Sequence, residues 1–211
     1  MRLRVLTILG VASALALVLA ILASLALSPW FSYYNTSLSE LGNTQTNGNV
    51  ALVFDVGLAL AGLLMLAFAV LVSSRTPDHR AFVWTVPLAV TAIDLAMVGV
   101  FPENTPGSVH RVVSAVLFLM ISVTMLAHGF LSLALGPRRV GSIALALGLF
   151  NAFIWVTTWP WSGVVNPWSV WPWPEVAIQE LMTAGMLTVW LVIVALAVNR
   201  PLSARRLTRG A

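Results

Sequence analysis

The sequence predicts an all-α, polytopic membrane protein of six transmembrane helices with both termini in the cytoplasm. Three observations carry this. Of the 211 residues, 59% are apolar and 9% charged, against about a quarter charged in soluble domains, and the mean hydropathy is +0.94. The apolar residues fall into long runs, each close to the ~20 residues that cross a hydrocarbon core as a helix. The charges are also unevenly placed. Arg2 and Arg4 precede the first run, Arg75 and Arg80 separate the second from the third, Arg138 and Arg139 separate the fourth from the fifth, and Arg200, Arg205, Arg206 and Arg209 follow the last. By the positive-inside rule these flanks are cytoplasmic. Glu40, Asp55, Asp94, Glu103, Glu175 and Glu180 then gather toward the opposite side, with Arg111 and His110 beside them.

The expected helices are approximately 5–28, 50–72, 81–101, 110–135, 141–160 and 176–198, in one integral domain spanning 1–211. The first run also ends near Ser24-Leu25-Ala26, where a signal peptidase could cut, but its apolar length exceeds a signal core of about 7–15 residues and matches a retained span. All six are read as helices because lipid leaves only helices or closed barrels, and the runs are too long for barrel strands. The expected location is the cytoplasmic membrane, with the bilayer as the first partner. The net charge of +4 resides on cytoplasmic flanks suited to anionic lipid, and the arginines form no nucleic-acid-reading face, so nucleic acid is not an expected partner. The absence of cysteine excludes disulfides, thiolate metal sites and cysteine nucleophiles. The two halves show no repeat of the kind transporters use.

Three outer connections result. In the first, Ser37 and Glu40 have capping-box spacing and Gly42 is expected to close a helical turn in the left-handed conformation. Such a turn either tidies the loop or holds Glu40 over the bundle mouth. The third, from Trp159 through Pro174, concentrates tryptophan and proline; an aromatic belt at the interface accounts for it, and a lid or an aromatic cage for a quaternary ammonium is the functional counterpart. Glu175, after Pro174, reads as a cap on the last helix.

Counting at about 1.5 Å per residue, Asp55, Asp94 and Glu180 lie at similar depth, on the order of 7–10 Å inside their helices. Exposure to lipid would be costly there. Asp55 shares a face with Ala51, Ala59 and Gly62, Asp94 with Thr91, and Glu180 with Thr183 and Ala184, as helix–helix contacts require. Together with His110 they are expected to face one cavity. Their excess negative charge calls for protonation, a bound cation or a cationic ligand. A structural reading pairs Arg111 with one acid and leaves another neutral and hydrogen-bonded. His110 is the best single candidate for metal ligand, proton carrier or head-group contact, and with Asp55 and Glu180 it would reach the three protein ligands of a catalytic zinc. His128, with Thr124 and Ser132 on its face, reads as an interhelical hydrogen-bonding residue, and His79 as a solvated loop residue. Asn151, with Trp155 and Thr158 on its side, reads as glue between helices. No Gly-x-Ser-x-Gly elbow, glycine-rich phosphate loop or His-Glu-x-x-His motif is present.

The segment Tyr34-Asn35-Thr36-Ser37-Leu38-Ser39-Glu40-Leu41-Gly42 resembles the prokaryotic membrane family catalogued as domain of unknown function nine-nine-eight. So do Phe54-Asp55-Val56-Gly57-Leu58 through Gly62, Gly99-Val100-Phe101-Pro102-Glu103 followed by His110, and the late Glu180. The resemblance implies six helices and roles for Ser37, Glu40, Glu103, His110 and Glu180, but no activity; Glu40 and Asp55 stand where the family pattern has aspartate and asparagine. The expected function is non-enzymatic binding of a lipid head group or cation, or service as a subunit of a membrane complex. The ligand-binding candidates are Ser37, Glu40, Asp55, Asp94, Glu103, His110, Arg111 and Glu180, with a divalent cation as candidate cofactor. The alternatives are a metal-dependent intramembrane hydrolase acting on lipid through His110 and Glu180, and a proton- or cation-coupled transporter using Asp94.

Overall fold

The computed structural model describes residues 2–76, 79–158 and 176–198. In chain order these form α1 (Arg2–Leu27), a helical turn at Leu38–Gly42, a one-turn helix α2 (Thr44–Asn47), α3 (Ala51–Arg75), α4 (Phe82–Val100), α5 (Val109–Leu135), α6 (Arg138–Thr158) and α7 (Ala177–Ala197). The described residues contain no strand. Helix α1 and helices α3 to α7 are each long and apolar enough to cross a membrane, so the protein is an integral, multi-pass membrane protein. Helix ends fall within about three residues of those expected from the sequence. Between α5 and α6 the chain turns at Gly136-Pro137, where proline cannot continue the preceding helix.

The six long helices form a closed ring. Each packs on the next, in the order α1, α3, α4, α5, α6, α7 and back to α1. Lipid supplies no hydrophobic drive for helices to associate, so close van der Waals packing must do so, and small residues allow it. A side chain at Gly62 would strike the Ala92 carbonyl and the Ala96 amide of α4, one at Gly99 the Asp55 carbonyl and Ala59 amide of α3, and one at Gly57 Ala20 of α1. Gly129, Gly141 and Gly148 serve the α5–α6 contact in the same way. The small-residue face predicted around Asp55 is therefore a helix–helix contact.

Two buried polar groups cross the ring interior. Asn151 Nδ2 donates to Ser122 Oγ (2.8 Å), Thr183 Oγ1 donates to Asn151 Oδ1 (2.8 Å), and Trp155 Nε1 donates to Thr183 Oγ1 (2.8 Å), binding α5, α6 and α7. Asn151 is thus the glue the sequence indicated, with Thr183 where Thr158 was expected. Nearer the arginine end, Trp190 Nε1 donates to His128 Nδ1 (3.2 Å), and the Trp84 ring lies 4.9 Å from His128 and 6.2 Å from Trp190. His128 has the expected Ser132 as a neighbour, while Thr124 pairs with Thr91 of α4.

At the other end the 28–50 connection folds over the ring. Asn47 organises it: its Nδ2 donates to the Leu41 carbonyl (2.8 Å), and its Oδ1 accepts from Ser28 Oγ (3.0 Å) and Trp30 Nε1 (3.1 Å). Asn104 Nδ2 donates to Thr44 Oγ1 (2.9 Å), tying this connection to that between α4 and α5. One expectation is corrected here. Gly42 does not adopt the left-handed conformation; among described glycines Gly48 and Gly107 have positive φ. Gly42 is needed for space, because a Cβ there would collide with the Asp55 carboxylate and Phe54. The tryptophan- and proline-rich segment 159–174, Glu175 and the arginines from Arg200 onward lie outside the described residues.

Candidate functional site

Beneath the Leu38–Gly42 turn lies a cavity inside the ring. Its free volume is about 50 Å³, well under the ~300–1,000 Å³ usual for small-molecule sites. Leu17 and Ile21 come from α1, Phe54 and Leu58 from α3, Leu95 and Val98 from α4, Leu117, Phe118 and Ile121 from α5, and Ala184 and Leu187 from α7; Leu38 roofs it. Against these apolar walls stand four polar residues, Ser39, Ser114, Glu180 and Thr183. From Ser114 to Ile121 is seven residues of helix, so the cavity runs about 10 Å along the ring axis, some two-thirds of a ~15 Å hydrocarbon leaflet.

Glu180 is the acidic residue of this cavity. It sits in the first turn of α7, buried, and accepts a short hydrogen bond from the Leu38 amide. Ser39 Oγ lies 3.4 Å from its other oxygen. A carboxylate at a helix N-terminus faces the positive end of the backbone dipole, and the amide of the turn adds a charge-assisted bond. Thr183, one turn on, carries the polar network of Asn151 up to the cavity wall. Phe118 stacks on Trp155 at 3.8 Å and 12°, which stiffens that wall.

The other predicted residues do not join Glu180 there. Asp55 is buried at the start of α3 beneath Gly42, and its Oδ1 has no hydrogen-bond partner among the described residues. Asp94 is half-buried on α4, its Oδ2 likewise without a partner. Glu40 turns back to accept the Ser37 amide (3.3 Å), so the capping-box spacing serves the turn and does not aim Glu40 into the cavity. Ser37 is buried in that turn. Glu103 and Arg111 are exposed. Among the described residues no three His, Asp or Glu side chains lie close enough to hold a metal; the set His110, Asp55 and Glu180 is spread over three helices and separate local contacts.

His110 bridges the end of α4 and the next turn of α5. Its Nδ1 lies 2.7 Å from the Phe101 carbonyl at the end of α4 and its Nε2 lies 3.3 Å from Ser114 Oγ. A carbonyl oxygen only accepts, so Nδ1 carries the proton and Nε2 presents a lone pair to the serine hydroxyl. Ser114 was missed at the sequence level. The signal was its spacing of four residues from His110, which places both on one helix face.

A family model described as "Protein of unknown function (DUF998)" matches residues 11–197. No curated protein and no solved structure matches the chain. The match takes in most of α1 and the five other membrane-spanning helices, with the Leu38–Gly42 turn and Glu180 that shape the cavity, and the chain belongs to the DUF998 family.

Proposed function

We propose that the protein binds an amphiphile, with an apolar chain in the ring cavity and a polar head at Glu180. The observation that carries this is the make-up of the cavity: apolar walls contributed by α1, α3, α4, α5 and α7, and one carboxylate on α7 near the covering turn. An apolar space lined with a few convergent polar groups is the usual form of a small-molecule site. No arginine, lysine or histidine lines it among the described residues. An acceptor-only carboxylate beside hydroxyls suits a head that donates hydrogen bonds or carries positive charge, and it disfavours a terminal phosphate. The Trp84–His128–Trp190 group closes the ring toward the arginine end, so the chain enters from the end covered by the 28–50 connection. The arginine distribution supports an extracytoplasmic position for that end.

Two experiments test this reading. Protein purified in mild detergent should release a stoichiometric amphiphile into organic extract, detected by mass spectrometry. Ala184→Phe pushes a ring into the cavity from a half-buried wall position; it should fold with a somewhat lowered melting midpoint and retain about tenfold less amphiphile or lower still, a loss of ~1.4 kcal/mol in affinity. Equal retention by the two proteins would remove the cavity as the binding site. For orientation, cysteine at exposed Gln45 should react with an impermeant thiol reagent outside intact cells while cysteine at Thr76 should not. Gln45 is preferable to Asn47, whose side chain holds the loop together. The inverse pattern would turn the cavity mouth to the cytoplasm.

A further inference from the structure

We infer that Ser114 and His110 form a nucleophile–base pair that cleaves a carboxylic ester of the amphiphile held in the cavity. The inference rests on the binding reading above and adds a reaction to it. A nucleophile within hydrogen-bond reach of a base, the base in turn held by a third group, is the arrangement that activates serine hydroxyls. Here the three groups are Ser114 Oγ, His110 Nε2 at 3.3 Å and, through Nδ1, the Phe101 carbonyl at 2.7 Å. Ser114 lines the cavity, and His110, one turn earlier on α5, is its neighbour outside the lining.

The same helix supplies an internal comparison. His128 and Ser132 repeat the four-residue spacing, with Nε2 3.2 Å from Ser132 Oγ. There Trp190 Nε1–H donates to Nδ1 (3.2 Å), so in the neutral ring Nε2 holds the proton and donates it to Ser132. That pair has the wrong polarity to activate a hydroxyl. At His110 the partner of Nδ1 is an acceptor, the tautomer is reversed, and Nε2 is free to take a proton from serine. Helix capping alone explains neither the reversed polarity nor the placement of Ser114 on the cavity wall.

The step balances without a redox partner. As Ser114 Oγ bonds to the ester carbonyl carbon, its proton passes to His110 Nε2. The tetrahedral oxyanion collapses, the carbon–oxygen bond to the alcohol breaks, and His110 returns the proton to the leaving alkoxide. Water then attacks the acyl-serine, giving its proton to Nε2; the second tetrahedral intermediate collapses, the bond to Ser114 Oγ breaks, Oγ takes the proton back from Nε2, and the carboxylic acid is released. The substrate class is an ester of a medium-length acyl chain, matched to the ~10 Å cavity, with a hydrogen-bond-donating head at Glu180.

The test uses the full chain in detergent or lipid nanodiscs with an alkyl fluorophosphonate probe and p-nitrophenyl esters of increasing chain length. The wild type should gain one covalent adduct on the peptide containing Ser114 and release p-nitrophenol, fastest at medium chain length. Ser114→Ala should abolish both. His110→Gln, which keeps an amide donor for the Phe101 carbonyl, should lower the labelling rate by about 10²-fold or more, and Ser132→Ala should leave it unchanged. An unlabelled wild type, or an adduct that persists in Ser114→Ala, would overturn the proposal. Amphiphile retention is read on the same samples: retention without labelling refutes the chemistry while binding stands, and loss of retention in the wild type refutes both.

Discussion

Gly62→Ala will destabilise the bundle while Gly185→Ala will not, although both add one methyl group to a transmembrane helix. At Gly62 the new carbon would stand 2.5 Å from the Ala92 carbonyl and 2.6 Å from the Ala96 amide, both backbone atoms of α4. No rotamer change relieves such a contact; α3 and α4 must separate. Overpacking of a well-packed contact costs about 1–3 kcal/mol, and in lipid the lost contact is not offset by a hydrophobic term. At Gly185 an added carbon meets nothing within 4 Å, so the change brings up to about 0.5–1 kcal/mol of helix preference. Thermal unfolding in detergent, followed by aggregation or near-ultraviolet circular dichroism, should put the Gly62 variant well below the parent and the Gly185 variant at or above it. Equal midpoints would mean that α3 and α4 do not pack as described.

Glu180→Ala should release the turn that covers the cavity. The carboxylate takes the amide of Leu38, a residue that is itself buried. Removing it strands that donor, a loss of about 1–3 kcal/mol. The cost should be local, because the turn touches the ring chiefly on α3 and α7. Faster limited proteolysis within residues 37–43, together with loss of amphiphile retention, is the expected result. Glu180→Gln keeps an acceptor oxygen but loses the charge, so it should hold the turn better than alanine while weakening a cationic head. If the alanine variant resists protease as the parent does, Asn47 and the buried Leu38 and Leu41 hold the turn by themselves.

The six helices, their approximate ends and their membrane setting were legible in the sequence because each depends on local properties. Run length, charge flanks and small residues act through one helix and its solvent. The roles of Asn151 and His128 were legible too, since a polar residue deep in an apolar run has few options besides bonding a neighbouring helix. Glu180 was singled out in the same way, early in its helix with Thr183 and Ala184 on its face.

What the tertiary structure decided was which of the acidic residues share a space. Equal depth along three helices is a one-dimensional fact, and convergence also needs the rotation of each helix and the order of the ring. Asp55 turned out to face Gly42, Glu40 its own turn, and His110 the end of the preceding helix, so a metal trio read from depth is not assembled. Gly42 followed the same logic: its sequence position suggested a special backbone angle, and the packing of Asp55 beneath it required an absent side chain. The polarity of the two histidines was likewise invisible in the chain. Both stand four residues before a serine, and only a partner from another element, a carbonyl for His110 and an indole for His128, determines which nitrogen carries the proton.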